Sequence, residues 1–210
     1  MTAAMQLRGD DLACERGGRL VFAGLNFALT GGEALVVTGR NGAGKSSLLR
    51  VLGGLLRKSA GLIELSGGAD EANLAEQSHY LGHLDAVKPA LSVSENLRFW
   101  TSYLGAPRSA AIRPALDAVD LAELADLPAA YLSAGQKRRL SIARLVAVRR
   151  PVWLLDEPTS ALDTPSQDRL ARLMRDHLGS GGMIVAAAHG PIGLDGAREL
   201  KLGRPTEPFS

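Results

Sequence analysis

The stretch G-R-N-G-A-G-K-S, residues 39 to 46, decides what kind of fold this chain makes. It fits the pattern G-x-x-x-x-G-K-[ST], in which glycines let backbone N–H groups curl around phosphate oxygens with no Cβ in the way. The nine residues Gly39-Arg40-Asn41-Gly42-Ala43-Gly44-Lys45-Ser46-Ser47 are therefore read as the lining of a nucleoside triphosphate's phosphates. Lys45 supplies a point charge to the β- and γ-phosphates, and Ser46 a hydroxyl to Mg²⁺. The flanks agree with this reading. Glu33 to Thr38 (EALVVT) reads as a short buried strand, and Ser46 to Leu56 carries apolar residues at helical spacing. A helix starting there points its positive dipole end at the phosphates.

About a hundred residues on, the apolar run Val152 to Leu155 reads as a buried parallel strand that ends in Asp156 and Glu157. Where a strand's carboxyl end turns into a loop, two adjacent carboxylates can both address a nucleotide crevice. Asp156 is the candidate for the Mg²⁺ shell, and Glu157 the candidate general base for the attacking water. Between the two motifs stands L-S-A-G-Q, residues 132 to 136. Ser133 is placed to cap a helix over Gln136 to Arg149, which then offers a second positive N-terminus to an anion.

In this order and spacing the three strings resemble the ATP-binding cassette (ABC) family, whose signature is LSGGQ; Ala134 replaces the first glycine of the pair. The resemblance implies a P-loop NTPase fold of the ABC type, with an antiparallel β subdomain and an inserted α-helical subdomain. It implies ATP and Mg²⁺ as ligands, with Ser133, Gly135 and Gln136 meeting the γ-phosphate bound by a second copy. Ser160 to Asp163 (SALD) resembles the family's D-loop, which puts Asp163 at the subunit contact. His189, after the apolar stretch Met183 to Ala188, falls where the family's switch histidine contacts the γ-phosphate.

Two positions depart from the family pattern. His83 stands where a glutamine usually serves as a Mg²⁺ and water ligand, and is assigned that metal and catalytic role because histidine can both donate and accept. Arg16, in CERGGRLVF, stands where an aromatic ring usually stacks on adenine. A guanidinium plane can stack on a purine, and a solvated arginine on a hairpin is the other reading.

Composition sets the outer limits. The 210 residues are 46% hydrophobic, enough for a sizeable core, and the net charge of +2 is too small to imply a polyanionic partner such as nucleic acid. Lys137-Arg138-Arg139 is read as a solvated stripe on the signature helix. Cys14 is alone, so no internal disulfide is possible and a reducing compartment suits the chain. The segment MTAAMQLRGDD lacks an apolar signal core, and no run approaches 18 apolar residues, so any membrane role is borrowed from a partner.

Along the chain, residues 5 to 30 read as strands and turns and Gly61 to Leu65 as a further strand. From about 84 to 150 the pattern turns helical, opening with capping-box spacing at Ser92-Val93-Ser94-Glu95; Thr164-Pro165-Ser166-Gln167 repeats that device. The expectation is a single domain over residues 1–210, an α/β core interrupted by a helical subdomain. Phe99, Trp100 and Tyr103 either line a groove for a membrane partner's helix or fill the subdomain's core.

A compact single cassette resembles the nucleotide-binding subunits of membrane transporters. At finer grain, CERGGRLVF, YLGH, ENLRF and YLSAGQKRRLSIARL are similar to the cytochrome c maturation branch of the family. That resemblance implies an ATP-dependent homodimer on the cytoplasmic face of the bacterial inner membrane. Its partners there would be the membrane protein CcmB and the haem-handling proteins CcmC, CcmD and CcmE. A transporter ATPase for another cargo, and a soluble assembly-scaffold ATPase, share the same nucleotide site.

Overall fold

The computed structural model describes residues 5–67, 73–106 and 111–203. They form two compact units: residues 1–82, 151–158 and 176–210 in the first, residues 83–150 and 159–175 in the second.

The first unit begins with long strands, β1 (Gln6–Arg16) and β2 (Arg19–Thr30), joined in an antiparallel hairpin with Arg16 opposite Arg19. Gly17 and Gly18 form its two-residue turn, both at positive φ (55° and 71°), where a side chain would be strained. β4 (Ala60–Ser66) pairs antiparallel with the other edge of β1 and completes a sheet of order β2-β1-β4.

The second sheet of this unit is parallel, with order β5-β6-β7-β3-β8. Its members are β3 (Ala34–Thr38), β5 (Ser78–Leu81), β6 (Val152–Asp156), β7 (Met183–Ala187) and β8 (Arg198–Lys201). Every residue of β6 and β7 is buried, as continuous apolar runs in a covered parallel sheet require. One core joins the two sheets through α1 (Lys45–Leu52): Leu7, Leu29, Leu48, Leu52, Leu154 and Val185 all belong to it. α1 ends four residues earlier than its apolar spacing predicts. Gly53 and Gly54, the latter at φ 68°, stop it as a left-handed glycine ends many helices.

In the second unit α2 (Val93–Tyr103), α3 (Ile112–Ala118) and α4 (Ala134–Ala147) pack on one another. α5 (Thr164–Gly179) has its first twelve residues here. α2 opens with the expected capping box: Glu95 N–H donates to Ser92 Oγ (3.2 Å) and Ser92 N–H to Glu95 Oε2 (2.8 Å). The buried amide of Asn96 ties the preceding loop to the helix. It donates to the carbonyls of Lys88, Leu91 and Ser92, and its oxygen accepts from Lys88 N–H.

Two sequence expectations change here. The cap of α5 is Asp163, whose Oδ1 accepts from Ser166 N–H (3.0 Å), so the device starts one residue before Thr164. Arg138 is not a solvated stripe: it is 3% exposed and pairs with Asp85 at 3.2 Å, while Arg139 reaches Asp120 at 2.9 Å. Partners 53 and 19 residues away in sequence draw these cations inward, which no local charge pattern reports.

Candidate functional site

β6, β7 and β3 are neighbours in the parallel sheet, so the loops leaving their carboxyl ends emerge side by side. Those loops carry Asp156 and Glu157, then His189, then the phosphate loop. The topology alone brings together three pieces of sequence up to 150 residues apart.

The N-cap of α1 is Gly44, at φ 100°, with no side-chain cap. The free N–H groups of the first turn are therefore not taken by a cap's oxygen and stay open to an anion. Glycine is required there twice over, since a Cβ on Gly44 would lie 2.6 Å from Val21 Cγ1 of the β1–β2 hairpin. Lys45, 7% exposed, donates from Nζ to the carbonyls of Gly39 (2.9 Å) and Arg40 (3.3 Å) and lies 3.3 Å from His189 Nε2. His189 Nε2 is in turn 3.6 Å from Glu157 Oε1. A cation, an imidazole and a carboxylate thus run in line beside the phosphate loop.

Glu157 is held in an uncommon conformation, φ 48°, with its N–H donating to Ala187 O (2.9 Å). A non-glycine residue there costs about 1 to 3 kcal/mol, strain that clusters at functional sites. A second line of contacts joins the pair assigned to Mg²⁺ from the sequence. Ser46 Oγ donates to Asp156 Oδ1 at 2.9 Å, so the hydroxyl and the carboxylate assigned to Mg²⁺ already touch. Mg²⁺ takes few protein ligands, fills its octahedron with phosphate and water, and needs no all-protein cage.

Two residues of this site escaped the sequence reading. Tyr80 OH donates to Asp156 Oδ2 (3.5 Å) and accepts from Arg50 Nε (3.3 Å). Burial raises the Tyr80 phenol above its ordinary value, and the bond to Tyr80 raises Arg50. Arg50 was open to discovery, because it lies one helical turn after Ser46 on the same face of α1.

The signature lies in the second unit. Gln136 N–H donates to Ser133 Oγ (3.2 Å) and Ser133 N–H to Gln136 Oε1 (2.8 Å), a reciprocal box that starts α4 at Ala134, two residues earlier than predicted. Gly135 packs so closely that a Cβ would sit 2.9 Å from Ala161 O of the SALD segment. Asp163 is held below the usual carboxylate range, chiefly by its side-chain hydrogen bond to Ser166. His83 is exposed and opens this unit. Arg16 is exposed at the tip of the β1–β2 hairpin in the first unit.

The ABC transporter family profile matches residues 22–160, from the second strand through the phosphate loop and signature to the carboxylate pair. The chain belongs to the CcmA branch of the ABC transporter family. The cytochrome c biogenesis ATP-binding export protein CcmA of Rhodopseudomonas palustris strain BisB5 is 59% identical over 199 residues, 95% of this chain and 98% of that one. CcmA of Nitrobacter winogradskyi is 60% identical over the same shares. Among solved structures, an ABC transporter ATP-binding protein of Pyrococcus furiosus superposes with a TM-score of 0.80 at 22% identity, covering 94% of this chain and 97% of that one. A bacterial Atm1-family ABC exporter with ATP bound also gives 0.80, at 23% identity, over 97% of this chain and 38% of the exporter. At those identities the likeness shows the fold, an ABC-type α/β ATPase with an antiparallel sheet.

As an ABC ATPase the chain binds and hydrolyses ATP. Among the described residues no helix is long and apolar enough to cross a membrane.

Proposed function

We propose that this chain is the ATP-hydrolysing subunit of a membrane ABC complex that handles haem during cytochrome c biogenesis. The observation that carries the catalytic part is the line Lys45–His189–Glu157 beside the Ser46–Asp156 pair. ATP's phosphates take the free N–H groups of α1, and Lys45 turns from its loop carbonyls to the β- and γ-phosphate oxygens. Ser46 and, through water, Asp156 hold Mg²⁺, which when bound neutralises charge on the bridging and terminal phosphate oxygens. Tyr80, with Arg50 behind it, fixes the carboxylate of Asp156. His83 stands at the sequence position of the family's glutamine.

Hydrolysis then proceeds in line. Water oxygen attacks the γ-phosphorus, Glu157 accepts its proton, and the bond to the β,γ-bridging oxygen breaks with its electrons leaving on ADP. His189 contacts the γ-phosphate and orients the water. The proton passes on to phosphate or solvent, which resets Glu157.

Two copies pair head to tail, so that Ser133, Gly135 and Gln136 of one meet the γ-phosphate held by the other and Asp163 lies at the contact. The pair works at the cytoplasmic face of the inner membrane with CcmB, CcmC and CcmD, and ATP turnover drives release of haem-loaded CcmE. The names of the relatives support the cytochrome c assignment. Support for a docking surface comes from the second unit's exposed aromatic cluster. Phe99, Trp100 and Tyr103 have ring centroids 5.4 to 6.4 Å apart, with Lys88 over Phe99 and Arg144 over Trp100. Phe99 and Tyr103 are 39% and 72% exposed and so do not fill the core.

Glu157→Gln tests the catalytic core. Phosphate release is expected to fall by about 10²- to 10⁴-fold while ATP affinity stays within a few-fold of the parent. Undiminished release would remove Glu157 as the base.

A further inference from the structure

An adenine base gains about tenfold or more in affinity from an aromatic face to stack on. The first unit, which holds the phosphate loop, has none to offer among its described residues. Phe22 and Phe27 are buried in the core, Trp153 is buried and stacked on His177, and Tyr80 is bonded to Arg50 and Asp156. At the hairpin tip stands Arg16, not a ring.

In the second unit Phe99, Trp100 and Tyr103 cluster on one another, and Tyr131 stands apart. Its side chain is 75% exposed and, among the described residues, makes no side-chain hydrogen bond, ion pair or ring contact. Yet its backbone is firmly held. Ala129 and Leu132 on either side are buried, Ala129 N–H donates to Leu91 O (2.9 Å), and Ala130 N–H to Pro89 O (3.0 Å). The single turn Ala129–Tyr131 then runs directly into the Ser133–Gln136 box. An aromatic ring is thus presented to water from a fixed backbone, two residues before the serine assigned to a partner's γ-phosphate. Two extended residues span at most about 7 Å, and the tyrosine side chain adds its own length to that reach.

We propose that Tyr131 of one copy stacks on the adenine of ATP held by the phosphate loop of a second copy. The partner supplies the base-recognition surface that the first unit lacks, and adenine selectivity becomes a property of the pair. This role rests on the head-to-tail pairing proposed above.

The test is sedimentation of Glu157→Gln protein titrated with ATP or UTP, alone and combined with Tyr131→Ala, Tyr131→Phe or Arg16→Ala. ATP binding to dilute monomer is measured in parallel by equilibrium dialysis. Tyr131→Ala is expected to raise the ATP concentration for half-maximal pairing about tenfold or more and to erase the preference for ATP over UTP, with monomer affinity unchanged. Tyr131→Phe should behave as the parent. If the parent pairs and Tyr131→Ala keeps its base preference, or if Arg16→Ala alone abolishes it, the role of Tyr131 is overturned. A parent that stays monomeric at saturating ATP overturns the pairing, and Tyr131's role with it.

Discussion

Lys45 Nζ satisfies two loop carbonyls and abuts His189, so it is pre-positioned for phosphate and already withdrawn from water. Losing a charge-assisted contact of about 1.5 to 3 kcal/mol should weaken ATP binding roughly ten- to hundredfold in Lys45→Ala, read by equilibrium dialysis. Tyr80→Phe should separate differently. It removes the hydroxyl that reaches Asp156 but leaves the phosphate contacts, so kcat should drop a few-fold with ATP affinity nearly unchanged. A kcat equal to the parent's would show that Asp156 needs no help from Tyr80. The contrast between these residues also shows what a sequence discloses. Lys45, Ser46, Asp156 and Glu157 lie in short strings whose spacing is set by one loop or one strand end. Tyr80 bonds to an aspartate 76 positions away, and the buried Arg138 pairs with one 53 positions away. Only the folded chain brings such pairs together.

At the scale of elements, the helix starts are the most legible parts of the fold, because a cap is a local bond. Ser92 and Ser133 each close a box with the residue three on. Thr164 is not the cap because Asp163, one residue earlier, takes the Ser166 N–H on its carboxylate, and the Gln167 N–H that a Thr164 box needs donates to the Asp163 carbonyl. Asp163's folded value is lowered, so its contribution is complete above the ordinary aspartate range near pH 4 and is lost as pH falls through the lower folded value. Asp163→Ala should therefore lower the urea midpoint at pH 7 and narrow its gap from the parent at pH 2 to 3. A gap of constant size across that range would count against the cap. Asn96 makes a sharper case, since four backbone groups depend on its buried amide. Asn96→Leu should cost about 2 kcal/mol or more in urea denaturation. A loss under about 0.5 kcal/mol would mean that those groups find water instead.

Across the whole molecule, the parallel strand order turns scattered motifs into one edge, while the second unit carries the signature, the D-loop segment and the exposed aromatics. Strand order could not be read from the sequence, because a buried parallel strand looks the same at any place in its sheet. The partner assignment belongs to this scale too, since cargo is a property of the assembly. The measurement that bears on it most directly is an affinity pulldown of tagged Glu157→Gln protein from its host's membranes with ATP present, analysed by mass spectrometry and a haem absorbance scan. The account predicts recovery of CcmB-, CcmC- and CcmE-like proteins together with haem. Recovery of a different membrane protein, or of soluble partners alone without haem, would contradict it.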